Sequence, residues 1–389
     1  MPASLNSTPS FNCRQPLSPA SSAAAGTTGL DPSATQLNIG LINNMPDGAL
    51  EATERQFLSL LNAASGSIHV HLSLYSLPGV SRSGAAANRV QTHYSSVENL
   101  WGTKLDGLIV TGKEPLTQNL ADEPYWDHFT QVVDWARDNT YSTVWSCLAA
   151  HAAVLHSDGI GRVKSPTKNS GIFECRRVAN HALTAGAPSG FRLPHSRWNG
   201  LQEEALAARG YRILTRTASA DVDTFVKQHK SLFVFFQGHP EYESDTLLLE
   251  YRRDIGRYIK GDIAEYPSMP QNYFDHETVI ALAAFQEEAA FIPRRLLSEM
   301  VSNLLSTINI QCTWRSTATH IYKNWLEYIY TQKQIEKLSG RITAKEPFSN
   351  ESTLVAIAAA QASQVNTYAG TRKGPATQAS ARHQAILVR

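Results

Sequence analysis

Across residues 37–146 short, largely apolar runs alternate with segments of helical periodicity. LNIGLI (37–42) reads as a buried first strand. A helix over about 50–63 follows, with Phe57, Leu58, Leu60 and Leu61 at helical spacing. IHVHLSLYSL (68–77) alternates like a second strand, and SSVENLWG (95–102) reads as a short helix. LDGLIV (105–110) is a third strand ending in Thr111-Gly112, YWDHFTQVVDWARD (125–138) an amphipathic helix, and STVWS (142–146) a fourth strand. Apolar strands separated by helices imply an α/β fold: a parallel sheet with helices on both faces. Ligands bind beyond the carboxyl ends of such strands, so the turn after Ile42, the Thr111-Gly112 pair and Cys147 share the predicted functional edge.

Composition narrows the class. The chain has 389 residues, 42% hydrophobic and 18% charged, enough for one large globular domain or two ordinary ones. A formal net charge of +1 points to neither nucleic acid nor an acidic membrane surface. Cys13, Cys147, Cys175 and Cys312 form no C-x-x-C pair and no metal-ligand spacing, which fits a reducing cytoplasm rather than a disulfide framework. No apolar run approaches the ~20 residues of a membrane span, and the N-terminus lacks the order of a secretory signal. Residues 1–35, rich in Ser, Ala, Thr, Pro and Gly, are expected to be disordered; Arg14 alone among them is basic, which argues against a transit peptide. The ordered domain is expected over 36–335. The 340–389 tail is expected to be largely disordered, with a weakly helical patch at 351–365.

Cys147 lies between the STVWS strand and an alanine-rich, helix-favouring run. A thiol at a strand-to-helix turn sits under the positive end of a helix, which favours the thiolate. A buried structural cysteine is the alternative reading. Downstream the pattern loosens over 157–230. FRLPHSRWNG (191–200) reads as a loop carrying His195, Ser196 and Arg197, and 210–217 and 223–228 as hairpin-like strands. A strongly apolar strand at 232–236 then runs into Gln237-Gly238-His239-Pro240-Glu241, with a helix over about 244–259. Residues 263–312 are indistinct apart from a helix over 296–308; within 314–335, Trp314-Arg315-Ser316 precede an aromatic-rich amphipathic helix, IYKNWLEYIYTQ (321–332).

A cysteine after one strand and His-x-Glu after a later one make a nucleophile, a base and an orienting carboxylate. In extended backbone His239 and Glu241 face the same way. The bland alternative is a turn histidine beside a surface glutamate.

Cys147 with GHPE about 90 residues later resembles the class I glutamine amidotransferase fold. The chain is more similar still to homoserine O-acyltransferases of the MetA type. The matching stretches are NNMPDGALEATERQFLSLL (43–61), DGLIVTG (106–112), YW (125–126), STVWSCLAAHAA (142–153), PHSR (194–197), GHPEY (238–242), EYRRD (250–254), WRS (314–316) and NWLEYIY (324–330). Ser146 and Leu148 stand where glutamine amidotransferases usually carry glycines, which favours the acyltransferase branch.

The resemblance implies a flavodoxin-like, class I glutamine amidotransferase-like sheet and a ping-pong reaction. Cys147 would take the acyl group from acyl-CoA as a thioester, His239 would act as general base, and Glu241 would complete the triad. Backbone N–H groups at Leu148 and in the Gly112 loop would form the oxyanion hole. Lys168, Ser196 and Arg253 match substrate-binding positions. His151 reads as a helix-packing residue, and His195 fits either packing or function. Donor choice is expected to follow the loop after Thr111-Gly112. Leu116 stands at the discriminating position, and Glu114 reaches the pocket only if the loop is shifted. The absence of a carboxylate at 116, with Lys113 nearby, points to succinyl-CoA, with acetyl-CoA the alternative donor and serine the alternative acceptor. A glutamine-hydrolysing enzyme and a non-enzymatic binding protein are the rivals. The resemblance implies no metal or bound cofactor, and a homodimer with small-molecule substrates acting in methionine synthesis in the cytoplasm.

Overall fold

Four strands carry the frame: β2 (Gln36–Ile42), β5 (Gly107–Thr111), β6 (Ser142–Ser146) and β12 (Leu232–Phe236). Every residue of β5, β6 and β12 is buried, as a strand covered on both faces requires. The computed structural model describes residues 10–12 and 36–344, except 219, 220, 290, 307 and 309. Among them a nine-stranded sheet runs β1-β3-β2-β5-β6-β12-β11-β9, with β4 beside β3. Its other members are β1 (Ser10–Asn12), β3 (His69–Ser76), β4 (Ser95–Ser96), β9 (Arg212–Ile213) and β11 (Thr224–Gln228). Pairing is parallel from β4 through β12 and antiparallel for β1, β11 and β9. β3, one strand from the edge, alternates in burial where the central strands do not.

Helices cover both faces, as the alternation predicts. On one side α1 (Leu50–Ala64) and α9 (Arg315–Ala344) pack together, α9 contributing Tyr322, Trp325, Leu326 and Ile329 to the core. On the other side α3 (Trp126–Asn139), α4 (Leu148–Asp158) and α5 (Glu203–Ala208) cover Val110, Trp145, Phe233 and Phe235. α4 is buried along Leu148–Val154, so the alanines of that run let it lie close against the sheet. The remaining helices are α2 (Gly84–His93), α6 (Thr246–Lys260), α7 (His276–Ala289) and α8 (Arg294–Ser306). A separate apolar cluster joins α6, α7 and α8. No helix among the described residues is long and apolar enough to cross a membrane.

The structure departs from the sequence reading in four places. FRLPHSRWNG is not a loop but the strand β8 (Gly190–Gly200). It pairs antiparallel with β7 (Val163–Arg177), a 15-residue strand in the region read as loosely turned. The 210–217 run splits at Leu214: β9 joins the large sheet, and β10 (Thr215–Thr217) pairs with β7 in a second, three-stranded sheet. Leu214 bonds to both sides, its N–H donating to the Thr224 carbonyl and its own carbonyl accepting from the Val178 N–H. Finally, Ser10–Asn12 pair with β3 inside the stretch expected to be disordered. The rest of 1–35, and the tail from 345 with its 351–365 patch, lie outside the described residues.

Trp325 shows how α9 is fixed. Its ring is 1% exposed and its Nε1–H donates to the Ser142 hydroxyl at 2.9 Å. Trp325→Ala removes a large buried ring and that bond, a cost of about 3–5 kcal/mol. Chemical denaturation reads it as a lowered midpoint with an unchanged slope.

Candidate active site

Strand register sets the site. β5, β6 and β12 are adjacent and parallel, with Thr111 opposite Ser146 and Ser146 opposite Phe236. The turns that follow them therefore lie side by side: Gly112 after β5, Cys147 after β6, and Gln237 to Glu241 after β12. Cys147 takes φ 53° and ψ −113°, a conformation that costs a non-glycine residue about 1–3 kcal/mol. Its N–H donates to the Phe236 carbonyl at 2.8 Å, which ties the strained turn to β12. α4 begins at the next residue, so the sulfur sits at the helix's positive end.

His239 and Glu241 are almost fully buried, and His239 Nδ1 lies 2.8 Å from Glu241 Oε1. An ionised carboxylate only accepts, so Nδ1 carries the proton and Nε2 is the nitrogen left for the sulfur. Burial works against a charged ring, but the Cys147 sulfur and the Glu241 carboxylate outweigh it and hold the imidazole well above its ordinary 6.5. Ser146 Oγ lies 3.4 Å from Glu241 Oε1. The structure thus brings together the three residues expected as nucleophile, base and orienter. Leu148 is the first residue of α4, and its N–H is among the first-turn donors without a helical partner carbonyl. Gly112 abuts it so closely that a Cβ at 112 would stand 2.5 Å from the Leu148 Cβ.

A second histidine lies directly behind the turn. His195 and Asp223 are fully buried, with Nε2 and Oδ1 3.2 Å apart. Arg197 Nε donates to His195 Nδ1 at 3.4 Å, so the proton of the neutral ring sits on Nε2, facing Asp223. This is the tautomer opposite to that of His239. Gly238 packs against the pair: a Cβ there would meet His195 Nε2 at 2.9 Å and Asp223 Oδ1 at 3.0 Å. Cys175, His195 and Asp223 place ligand-type atoms within 4.8 Å of one another. The Arg197 cation against His195 opposes a metal there, and burial pushes the Cys175 thiol up, which disfavours a thiolate ligand. His151 packs inside α4's buried face with Nε2 2.8 Å from Gln237 Oε1, and burial lowers it to about 4.

The expected substrate-binding residues converge on one stripe of α6. Ser196 Oγ donates to Glu250 Oε2, and Tyr242 Oη donates to Glu250 Oε1 at 2.6 Å. Four residues on, Asp254 accepts from Lys168 Nζ at 2.9 Å and from Arg253 Nε and Nη2 at 2.9 and 2.8 Å. Three further on, Arg257 holds Glu114 with both terminal nitrogens, at 3.1 and 2.8 Å. Glu114 is thus clasped to α6, and the Arg257 hydrogen bonds lower its pKa. Leu116 is 70% exposed, with its N–H on Glu123 Oε1. Lys113, expected to attract a donor carboxylate, instead lies 3.6 Å from the buried Glu123. Sequence reasoning missed Glu250, Asp254, Arg257, Tyr242 and Asp223. The i, i+4, i+7 spacing of Glu250, Asp254 and Arg257 was the available signal.

Because His239 is raised in the folded state, its protonated form contributes stability fully below the unfolded value near 6.5. That contribution is lost as pH rises through the folded value. Glu241→Gln removes one of the two anions responsible. Its stability deficit against wild type is expected to be larger at about pH 5.5 than at about pH 9.5, read by urea unfolding. Turnover is expected to fall about 10²-fold or more. A deficit independent of pH would contradict the His239–Glu241 couple.

With this geometry in hand, comparison with known proteins is direct. Residues 23–335 match the family described as homoserine O-succinyltransferase. The homoserine O-succinyltransferase of Rhodopseudomonas palustris is 48% identical over 290 residues, 75% of this chain and 87% of that protein. That of Methylorubrum extorquens is 44% identical over 307 residues, 79% and 91% of the two chains. Among solved structures, a glutamine amidotransferase from Methylobacillus flagellatus aligns with a TM-score of 0.42 at 14% identity, covering 76% of this chain and 95% of that one. Through the family match and these relatives, the chain belongs to the homoserine O-succinyltransferase family.

Proposed function

We propose that this chain transfers the succinyl group of succinyl-CoA to the hydroxyl of L-homoserine through a thioester on Cys147. The observation that carries the reading is the Cys147 turn, held by β12 and facing a His239–Glu241 couple, in a chain 48% identical to an enzyme of that name. His239 Nε2 takes the thiol proton. The thiolate adds to the donor's thioester carbonyl, and the oxyanion faces the Leu148 N–H and the Gly112 loop. CoA leaves as its thiol with the proton returned by His239, and Cys147 carries the acyl group. The acceptor hydroxyl then gives its proton to His239 and attacks the acyl-cysteine. The O-acyl ester departs and the thiol is restored.

The α6 stripe supplies the acceptor's counter-charges. Glu250, held by Ser196 and Tyr242, suits an ammonium, and Arg253 and Lys168 suit a carboxylate. The reading places the enzyme in the cytoplasm as a homodimer, with its small-molecule substrates and with no metal or bound cofactor. For the donor, the Arg257 clasp turns the Glu114 carboxylate into half of an ion pair, which lessens its repulsion of a succinyl carboxylate.

Intact-protein mass spectrometry tests the reading. Succinyl-CoA without acceptor is expected to add one succinyl group to wild type and none to Cys147→Ala, and homoserine is expected to remove it. Labelling by glutamine instead would replace this reading with an amidohydrolase. Arg257→Ala frees the Glu114 carboxylate. The succinyl-to-acetyl ratio of kcat/KM is then expected to fall about tenfold, or about 1.4 kcal/mol. An unchanged ratio removes Glu114 from donor choice.

A further inference from the structure

Tyr242 touches both halves of the site. Its ring lies on the His239 imidazole, centroids 4.1 Å apart and planes 18° from parallel. Its hydroxyl donates to Glu250 Oε1 at 2.6 Å, and the other oxygen of that carboxylate accepts from Ser196. The residue is 5% exposed. Its backbone is fixed from two directions: the N–H donates to the His239 carbonyl at 3.2 Å, and the carbonyl accepts from Trp314 Nε1 at 2.9 Å. Trp314 is itself 1% exposed. Glu241 fixes the imidazole along one edge through Nδ1. A single edge contact leaves the ring free to rock about that bond, and a flat aromatic face against it removes this freedom. An electron-rich face also favours the imidazolium over the neutral ring. The hydroxyl does a different job: it fixes the rotamer of Glu250, the carboxylate nearest Ser196.

We propose that Tyr242 is a positioning residue with two separable roles, its ring holding His239 for both half-reactions and its hydroxyl holding Glu250 for the acceptor half-reaction alone. The inference rests on the ping-pong reading above. The two roles divide because the ring contact needs only an aromatic plane, whereas the Glu250 contact needs a donor. A purely structural role would lower stability without separating the two halves of the reaction.

Two variants and three measurements test it. CoA release from succinyl-CoA without acceptor reports the first half-reaction. Discharge of the isolated acyl-enzyme by homoserine reports the second. Alkylation of Cys147 by iodoacetamide at fixed pH reports the Cys147–His239 pair with no substrate present. Tyr242→Phe keeps the plane and loses the donor. It is expected to leave CoA release and alkylation within about twofold of wild type, and to raise the homoserine concentration for half-maximal discharge about tenfold. Tyr242→Leu loses both and is expected to slow CoA release about 10²-fold and to slow alkylation as well. Equal slowing of both half-reactions by Tyr242→Phe, or no effect on either, overturns the hydroxyl's role. Wild-type CoA release and alkylation in Tyr242→Leu overturn the ring's role. Should Tyr242→Leu not fold, Tyr242→Met is read in the same way. If succinyl-CoA fails to label even the wild type, the proposed function fails, while the alkylation rates still decide the ring's role.

Discussion

One hydrogen bond carries a disproportionate share of this structure: the Cys147 N–H donating to the Phe236 carbonyl. Cys147 sits in a backbone conformation that an L side chain resists. It stays there because this bond carries the pairing with β12 one residue past the end of β6. The same pairing aligns the turn that carries His239 and Glu241. Cys147 and His239 are thus not carried on unrelated loops. Cys147 directly follows β6 and His239 follows the neighbouring β12 by three residues, so the strand spacing brings their turns side by side. The five buried residues of β12, Leu232 to Phe236, are therefore as much part of the site's geometry as the residues at its tip.

What the sequence made legible follows from burial. β5, β6 and β12 are covered on both faces and β2 nearly so, which leaves them free of charged residues and rich in apolar ones, and they stand out from their surroundings. Cys147, His239 and Glu241 were found because each follows such a strand. β7 and β8 were not found, since their residues divide between core and solvent. β7 includes Ser165, Pro166 and Gly171, and its pairing with β8 shifts register between Lys164 and Asn169. β8 is an edge strand, where Pro194, a residue without an N–H, is tolerated. Its carbonyl instead accepts the His239 N–H. The α2 segment GAAANRVQTH has too few large apolar residues to announce a helix.

The α6 stripe was hidden for another reason. Periodicity shows which face of a helix is apolar, but not what its polar face looks onto. Glu250, Asp254 and Arg257 meet residues from the turn after β12, from β7 and β8, and from the loop after β5. Asp254 illustrates the gap. It pairs with Lys168 and Arg253 together, two cations that the sequence reading had placed in the site without a shared anion.

The second sheet carries Lys168 and Ser196, and the first carries β6, which leads into Cys147. Leu214 is bonded to both, and the His239 N–H reaches across to Pro194. Gln271, between α6 and α7, fastens that segment to β7, its N–H donating to the Ser170 carbonyl and its carbonyl accepting from the Ile172 N–H. Two bodies joined this way cannot swing apart like jaws without breaking main-chain bonds in several places. The more readily exchanged links are ion pairs that α6 makes, the exposed Glu114 with Arg257 and the part-buried Lys168 with Asp254. On the proposed two-step reading, passing from donor to acceptor would exchange partners among these charges, on the timescale of side-chain rotation rather than of domain closure.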